Sequence, residues 1–223
     1  MEAIKQQLQM VIFDLDGVIV DSEPLHDAAK KWILEQNGVM EKPDLSWSVG
    51  IPGVDIWTRL IKQYGLRAAP AEFERQQYEF ILSSIREKNI PESRGLKELL
   101  AWLATRNITV GLASSSDRFY VERILKHYEL TDRFQFVTAG DEVPQKKPAP
   151  DVYRNDLSRS GIHAGQAVAI EDSASGIQAA AAAGMHCIGY RNPTSGNQDL
   201  SKADWIVNSL ADVPKVLLDS FTF

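Results

Sequence analysis

The stretch Met10–Asp21, MVIFDLDGVIVD, decides the fold. Its first four residues are all apolar, which is typical of a strand buried on both faces, and Asp14 and Asp16 follow at once. Five later runs also have the apolar character of short strands: 108–113, 134–138, 167–170, 187–190 and 205–207. Helical patterns separate most of these runs. Strands that alternate with helices predict an α/β fold, with a Rossmann-like parallel sheet covered on both faces.

The chain breaks this rhythm once, between the first strand and Ile108. Three segments there have the spacing of helices and contain no strand signal: Leu25–Gln36, Val54–Tyr64 and Ala71–Lys88. A crossover in a parallel sheet normally needs only one helix, so the extra helices predict an inserted small α-helical domain, the cap. We expect the core to comprise residues 1–19 and 92–223, and the cap residues 20–91.

Composition and charge exclude several classes of partner. The chain has 223 residues and a formal net charge of -6, with no basic run that would attract nucleic acid or an anionic membrane. The lone Cys187 cannot form an internal disulfide, which weakly favours the cytoplasm. The polar N-terminal residues MEAIKQQLQ resemble neither a signal peptide nor a membrane span.

Polar residues follow the predicted strands where each one ends. Ligands of open parallel sheets bind beyond the carboxyl ends of the strands. The candidates at this edge are Asp14, Asp16, Ser114, Ser115, Ser116, Lys146, Lys147, Glu171 and Asp172. Two carboxylates about 4 Å apart repel by roughly 4 kcal/mol at an effective dielectric near 20, so a cation is expected among them. Because the carboxylates are accompanied by no His or Cys ligand, Mg²⁺ fits better than zinc, and Mg²⁺ suggests phosphoryl chemistry.

Four motifs then give a specific resemblance. They are DLDG at 14–17, GLAS at 111–114, KPAP at 147–150 and EDSASG at 171–176. Their order and approximate spacing resemble those of the haloacid dehalogenase superfamily, most closely the sugar-phosphate phosphatases and β-phosphoglucomutases. The resemblance implies a cytoplasmic, Mg²⁺-dependent phosphatase, monomeric, that hydrolyses small phosphorylated metabolites such as sugar phosphates. A phosphosugar mutase is the alternative.

The resemblance also implies catalytic roles. Asp14 is similar to the nucleophile that becomes an aspartyl-phosphate, and Asp16 to the general acid and base. Ser114 resembles the hydroxyl that holds the phosphoryl group, and Lys147 the lysine that neutralises it. Because displacement of a halide needs no acid, Asp16 favours phosphate esters over haloacids.

The same resemblance implies ligand contacts. Mg²⁺ is expected on Asp14, the main-chain carbonyl of Asp16, Asp172 and Glu171, the last directly or through water. Ser115 and His26 are expected to contact the substrate together with Ser114 and Lys147. His26 has a competing interpretation as a half-exposed helix residue.

Other competing interpretations remain open. Ser22 and Ser116 have the character of helix N-caps, and Lys146 that of a solvated neighbour. In the mutases an arginine stands three residues after a cap glycine; the nearest match is Gly50, with Gly53 in the place of that arginine and Arg59 as a substitute. A binding protein built on an inactive enzyme fold is a third hypothesis, against which the complete set of candidate residues argues.

Overall fold

The six strands form one parallel sheet. The computed structural model describes residues 6–41, 43–48 and 51–223. Its strands are β1 Met10–Phe13, β2 Thr109–Ala113, β3 Phe136–Thr138, β4 Ala167–Glu171, β5 His186–Tyr190 and β6 Trp205–Val207. Their order across the sheet is β3-β2-β1-β4-β5-β6, and every pairing is parallel. The predicted α/β class and Rossmann-like sheet are therefore confirmed.

Strand β1 shows why the sheet is covered on both faces. Val11 and Phe13 belong to one apolar cluster and Met10 and Ile12 to another, and all four are fully buried. Side chains alternate between the faces of a strand, so a continuous apolar run places two residues in each layer.

The described part of the chain also contains eight α-helices. They are α1 Glu23–Gln36, α2 Gly53–Tyr64, α3 Pro70–Lys88, α4 Leu96–Ala104, α5 Arg118–His127, α6 Asp151–Ser160, α7 Ala174–Ala182 and α8 Val213–Ser220. The first three lie between β1 and β2 where the cap is expected, and the sequence did not predict α8. Among the described residues, no helix is long and apolar enough to cross a membrane.

The helices α1–α3 have an apolar cluster of their own. Ile33, Trp57 and Phe73 are buried together, with the rings of Trp57 and Phe73 stacked at 5.0 Å between centroids. Leu25 on α1 and Tyr78 on α3 belong instead to the cluster over the sheet. The cap therefore packs both on itself and on the core. The domain boundaries at 19/20 and 91/92 stay a prediction, and residues 1–5 lie outside the described residues.

Ser22 occupies the N-cap position of α1 and Ser116 does not occupy that of α5, and neither hydroxyl caps a helix. The helices after Ser22 and Ser116 receive no side-chain cap from either serine, because both hydroxyls donate to Asp16 instead. Helix α7 does have a side-chain cap, because Ser173 Oγ accepts from the main-chain N–H of Gly176 at 3.1 Å.

Candidate active site

The predicted residues meet at the carboxyl edge of the sheet, near the point where the strand order reverses. β1 lies between β2 and β4, so the loops that follow these three strands diverge around a crevice. Asp14 follows β1, Ser114 follows β2, and Asp172 follows β4. Seven of the eight predicted site residues line one cavity of about 840 Å³ that opens between core and cap. Glu171 does not line this cavity and is fully buried.

Lys147 joins the two acidic motifs. Its Nζ donates to Asp14 Oδ1 at 2.6 Å, to Glu171 Oε1 at 2.6 Å and to the carbonyl of Ala113 at 2.8 Å. The side chain is 4% exposed, so the ammonium is held by carboxylates in place of water. Burial opposes this charge, but Asp14 and Glu171 outweigh it and raise the pKa of Lys147.

Three carboxylates form a group that fits a metal ion. One oxygen from each of Asp14, Glu171 and Asp172 lies within 4.8 Å of the others. Burial, reinforced by neighbouring carboxylates and opposed at Asp14 by Lys147, raises the pKa of Asp14 and brings that of Asp172 well above its usual range. Such crowding is relieved by a divalent cation, and a donor set made only of oxygens suits Mg²⁺. The side chain of Asp16 is not part of this group, and a contact through its carbonyl stays a prediction.

The positions of Glu171 and Asp172 are closely determined by their neighbours. Tyr153 OH donates to Glu171 Oε1 at 2.5 Å, the oxygen that Lys147 also contacts, and Ser173 donates to Oε2 at 3.2 Å. The hydroxyl of Ser195 donates to Asp172. These bonds fix the orientation of both carboxylates before any ligand arrives.

The serines after β2 form the wall beside Asp14. Ser114 is 1% exposed, and its Oγ accepts from the main-chain N–H of Ser116 at 3.0 Å. The main-chain N–H of Ser114 donates to the carbonyl of Thr138 at 3.0 Å, which ties this turn to β3. Ser115 also lines the cavity. The turn thus holds Ser114, Ser115 and Ser116 at the wall of the cavity beside Asp14.

Four side chains contact Asp16, namely Ser22 and His26 from the cap and Ser116 and Tyr120 from the core. Its carboxylate accepts from Ser22 at 2.6 Å, from Ser116 at 2.8 Å and from Tyr120 at 3.1 Å. His26 Nε2 lies 3.1 Å from Oδ1. Burial by itself raises the pKa of Asp16, but the contact with His26 and the hydrogen bonds from Ser22 and Ser116 outweigh it and lower the pKa.

A hydrogen-bonded chain connects Asp16 to the interior of the cap. The indole N–H of Trp57 donates to Gln77 Oε1 at 2.8 Å, so the amide nitrogen of Gln77 faces His26 Nδ1, 2.7 Å away. A donor at that place requires Nδ1 to accept, which leaves the proton of His26 on Nε2, directed at Asp16. The side chain of His26 is 13% exposed, so its interpretation as a half-exposed residue is wrong.

Lys146 is not the solvated neighbour that the sequence suggested. Its ammonium lies 3.2 Å from Asp117 Oδ1 and 3.6 Å from Glu74 Oε1 on α3 of the cap. It therefore joins core and cap at the rim of the cavity.

Several cavity residues were not predicted from sequence. Those on the cap side include Glu23, Lys30, Ser48, Glu74 and Gln77, and those on the core side include Ser195 and Gln198. Ser195 follows β5, so the rule that nominated the other strand ends could also have found it. The cap residues had no comparable signal, because helical spacing alone does not say which polar residues face a cavity.

Comparison with known proteins agrees with this geometry. A family model described as haloacid dehalogenase-like hydrolase matches residues 11–190. Hexitol phosphatase B of Escherichia coli is 30% identical over 200 residues, covering 86% of this chain and 87% of that protein. The fructose-1-phosphate phosphatase YqaB of Escherichia coli is 32% identical over 184 residues, covering 81% and 95%. The crystal structure of CbbY from Rhodobacter sphaeroides in complex with phosphate superposes with a TM-score of 0.82 at 26% identity, covering 93% of this chain and 96% of that one.

The fold and the site together define a hydrolase with a Rossmann-like α/β core and helices inserted between its first two strands. The chain belongs to the haloacid dehalogenase-like hydrolases. Within that family its relatives include sugar and sugar-alcohol phosphatases, so the resemblance drawn from the four motifs is confirmed.

Proposed function

We propose that this protein is a Mg²⁺-dependent phosphatase that hydrolyses small phosphate monoesters, with sugar phosphates as the main class, through an aspartyl-phosphate on Asp14. The observation that carries the proposal is the buried contact of Lys147 with Asp14 and Glu171, beside Asp172 and the turn at Ser114. The named activities of the phosphatase relatives support the substrate class.

In the proposed first step, Asp14 attacks the phosphorus atom of the ester. Lys147 holds Oδ1 of Asp14, so we assign the attack to Oδ2. The new Oδ2–P bond forms as the bond between phosphorus and the ester oxygen breaks, and Asp16 supplies the proton to the leaving alcohol. Lys147 and the Ser114 hydroxyl would stabilise the negative charge on the transferred group. When bound by Asp14, Asp172 and the Asp16 carbonyl, with Glu171 beside them, Mg²⁺ supplies further stabilisation of this charge.

In the second step, water attacks the phosphorus atom of the aspartyl-phosphate. Asp16 now takes a proton from this water, the Oδ2–P bond breaks, and phosphate leaves with Asp14 restored. In the arrangement described above, Asp16 accepts four hydrogen bonds and its pKa is lowered, so it is ionised and has a vacant protonation site. Acting as an acid requires Asp16 to gain a proton first, so some of these bonds must change when substrate binds.

The test is a phosphate-release screen with Mg²⁺ over sugar phosphates, nucleotides and phosphoglycolate. We expect release from a few sugar phosphates, a fall below about a thousandth in Asp14→Asn, and loss of activity in EDTA that added Mg²⁺ restores. Unchanged release by Asp14→Asn would contradict the assignment of the nucleophile, and full activity in EDTA would contradict the metal.

The phosphosugar mutase is the alternative, and two observations weigh against it. Gly53 stands where a phosphate-binding arginine is expected, while Gly50 lies outside the described residues. The substitute, Arg59, has its guanidinium 3.9 Å above the ring of Trp47 and does not line the cavity. Isomerisation of β-glucose 1-phosphate without net release of phosphate would favour the mutase. The monomeric state and the cytoplasmic location stay predictions.

A further inference from the structure

Glu74 is a buried carboxylate of the cavity for which the proposed mechanism has no use. It lies on α3 of the cap and is 4% exposed. Tyr78 OH donates to its Oε1 at 3.1 Å, and the ammonium of Lys146 lies 3.6 Å away. That lysine also contacts Asp117, so it does not neutralise Glu74 alone. A carboxylate in the wall of a substrate cavity limits which chemical groups of a substrate can bind next to it.

Glu74 also occupies the space next to Gly53. A Cβ atom placed on Gly53 would lie 2.2 Å from Glu74 Oε1 and 2.9 Å from its Cδ. A side chain at position 53 and the present position of Glu74 therefore exclude each other. A mutase would need an arginine at position 53 to bind a second phosphate. In this protein the carboxylate of Glu74 occupies the space that such a side chain would need.

The other charged cap residues that line the cavity do not make the region around Glu74 favourable for a phosphate group. Among the described cap residues that line the cavity, Glu23 and Glu74 are acidic and Lys30 is basic. The ammonium of Lys30 donates to Ser48 Oγ at 2.5 Å. The carboxylate of Glu23 is one of those that favour the charged form of Lys30. A phosphate group is bound by Arg, Lys and N–H donors, whereas a carboxylate accepts hydrogen bonds from hydroxyl groups.

We propose that Glu74, together with Gly53, which has no side chain, determines the substrate specificity of the cavity. Glu74 selects phosphate monoesters whose distal part is neutral and rich in hydroxyl groups, and it rejects sugar bisphosphates. The proposal rests on the phosphatase function above. Its physical basis has two parts: the Glu74 carboxylate accepts from substrate hydroxyls, and it repels a second phosphate.

The first test compares kcat/KM for a pair of substrates that differ by one phosphate, fructose 1-phosphate and fructose 1,6-bisphosphate. We expect wild type to prefer the monophosphate by about a hundredfold or more, and Glu74→Gln to reduce this ratio by about tenfold. Glutamine keeps an oxygen that can accept from Tyr78 and removes the charge. Glu72→Gln makes the same change at an exposed position of α3 and should leave the ratio unaltered.

Turnover of p-nitrophenyl phosphate separates specificity from chemistry, because this ester has no distal hydroxyl or phosphate. It should be nearly equal in wild type, Glu74→Gln and Glu72→Gln. A wild type that hydrolyses both fructose esters equally well, or a ratio unchanged in Glu74→Gln, would overturn the proposal. Loss of p-nitrophenyl phosphate turnover in Glu74→Gln would show a structural role and would overturn it as well.

A binding measurement tests the role of Glu74 even if the phosphatase proposal itself fails. If wild type hydrolyses none of the esters, the phosphatase proposal fails, and calorimetry of the same two fructose esters with the Mg²⁺-loaded protein then decides the present one. Tighter binding of the monophosphate, weakened selectively in Glu74→Gln, would support the role of Glu74. Equal or tighter binding of the bisphosphate by wild type would refute it.

Discussion

Gly17 lies so close to Asp172 that no side chain fits between them. Its φ is +80°, and a Cβ there would be 1.8 Å from Asp172 Oδ2. We predict that Gly17→Ala displaces Asp172, weakens Mg²⁺ binding and lowers kcat by about a hundredfold or more. The measurement is the Mg²⁺ dependence of both kcat and the thermal unfolding midpoint.

Gly38 provides the matched control for this substitution. Its φ is +83°, but no atom outside its chain neighbours lies within 4 Å of a Cβ there. Gly38→Ala therefore carries the same backbone strain, about 1 kcal/mol, without the clash. Gly38→Ala could instead impair Mg²⁺ binding and kcat as strongly as Gly17→Ala. Backbone strain would then be the cause, and displacement of Asp172 would not be.

Asp156 is a buried carboxyl group away from the cavity. Thr138 donates to its Oδ1 at 2.6 Å, and Oδ2 has no hydrogen-bond partner among the described residues. Burial raises the pKa of Asp156 from 3.8 to about 7. A group whose pKa is raised by folding binds its proton more tightly in the folded state, so its contribution to stability is full below about pH 4 and is lost as the pH rises through about 7.

We predict that the free energy of unfolding of wild type falls relative to that of Asp156→Asn by about 2–4 kcal/mol between about pH 5 and pH 9. Asparagine has a similar shape and cannot ionise. Other buried carboxyls such as Asp14 and Asp172 titrate in both proteins, so their contributions cancel in the difference. Urea unfolding at several pH values measures it, and parallel pH profiles for the two proteins would contradict the assignment.

At the scale of elements, α3 supports the site through Gln77. Gln77 connects Trp57 in the cap interior with His26, and His26 contacts Asp16. We predict that Gln77→Leu lowers kcat by about tenfold, because His26 loses the partner that directs its Nε2 proton to Asp16. Gln76→Leu, on the same helix and outside the cavity, should leave kcat unchanged.

Nitrogen NMR of His26 gives a second measurement for the same variant. In wild type the resonances should show a protonated Nε2 and an accepting Nδ1, and in Gln77→Leu this preference should weaken. A protonated Nδ1 in wild type would contradict the chain from Trp57 to Asp16, whatever the effect on kcat.

The elements themselves were largely predictable from local pattern. The buried strands β1 and β4 read as apolar runs, since both faces of the sheet are covered. Helix α8 was missed because it is short, with Val213 and Leu217 as its buried residues, and so it has little periodic signal. The N-caps failed at Ser22 and Ser116 because Asp16 accepts from both hydroxyls, and a preference for capping says nothing about such a competing partner.

At the scale of the whole molecule, the sequence predicted the core half of the site better than the cap half. The core residues Asp14, Lys147 and Asp172 follow strand ends, and the topology of a parallel sheet brings strand ends together whatever the rest of the chain does. The contacts of the cap depend on how helices pack across a cavity. The approach of Glu74 to Lys146, 72 positions further along the chain, follows from that packing and has no local signature.

Formation of an aspartyl-phosphate on Asp14 is the central claim, and one measurement with Asp16→Asn tests it most directly. p-Nitrophenolate leaves without a proton, so phosphorylation should proceed in this variant while attack by water on the intermediate slows. With Mg²⁺ and p-nitrophenyl phosphate we predict a burst of one p-nitrophenolate per protein, and mass spectrometry should place one phosphoryl group on Asp14. Steady turnover without a burst, or a phosphoryl group on any other residue, would contradict the account.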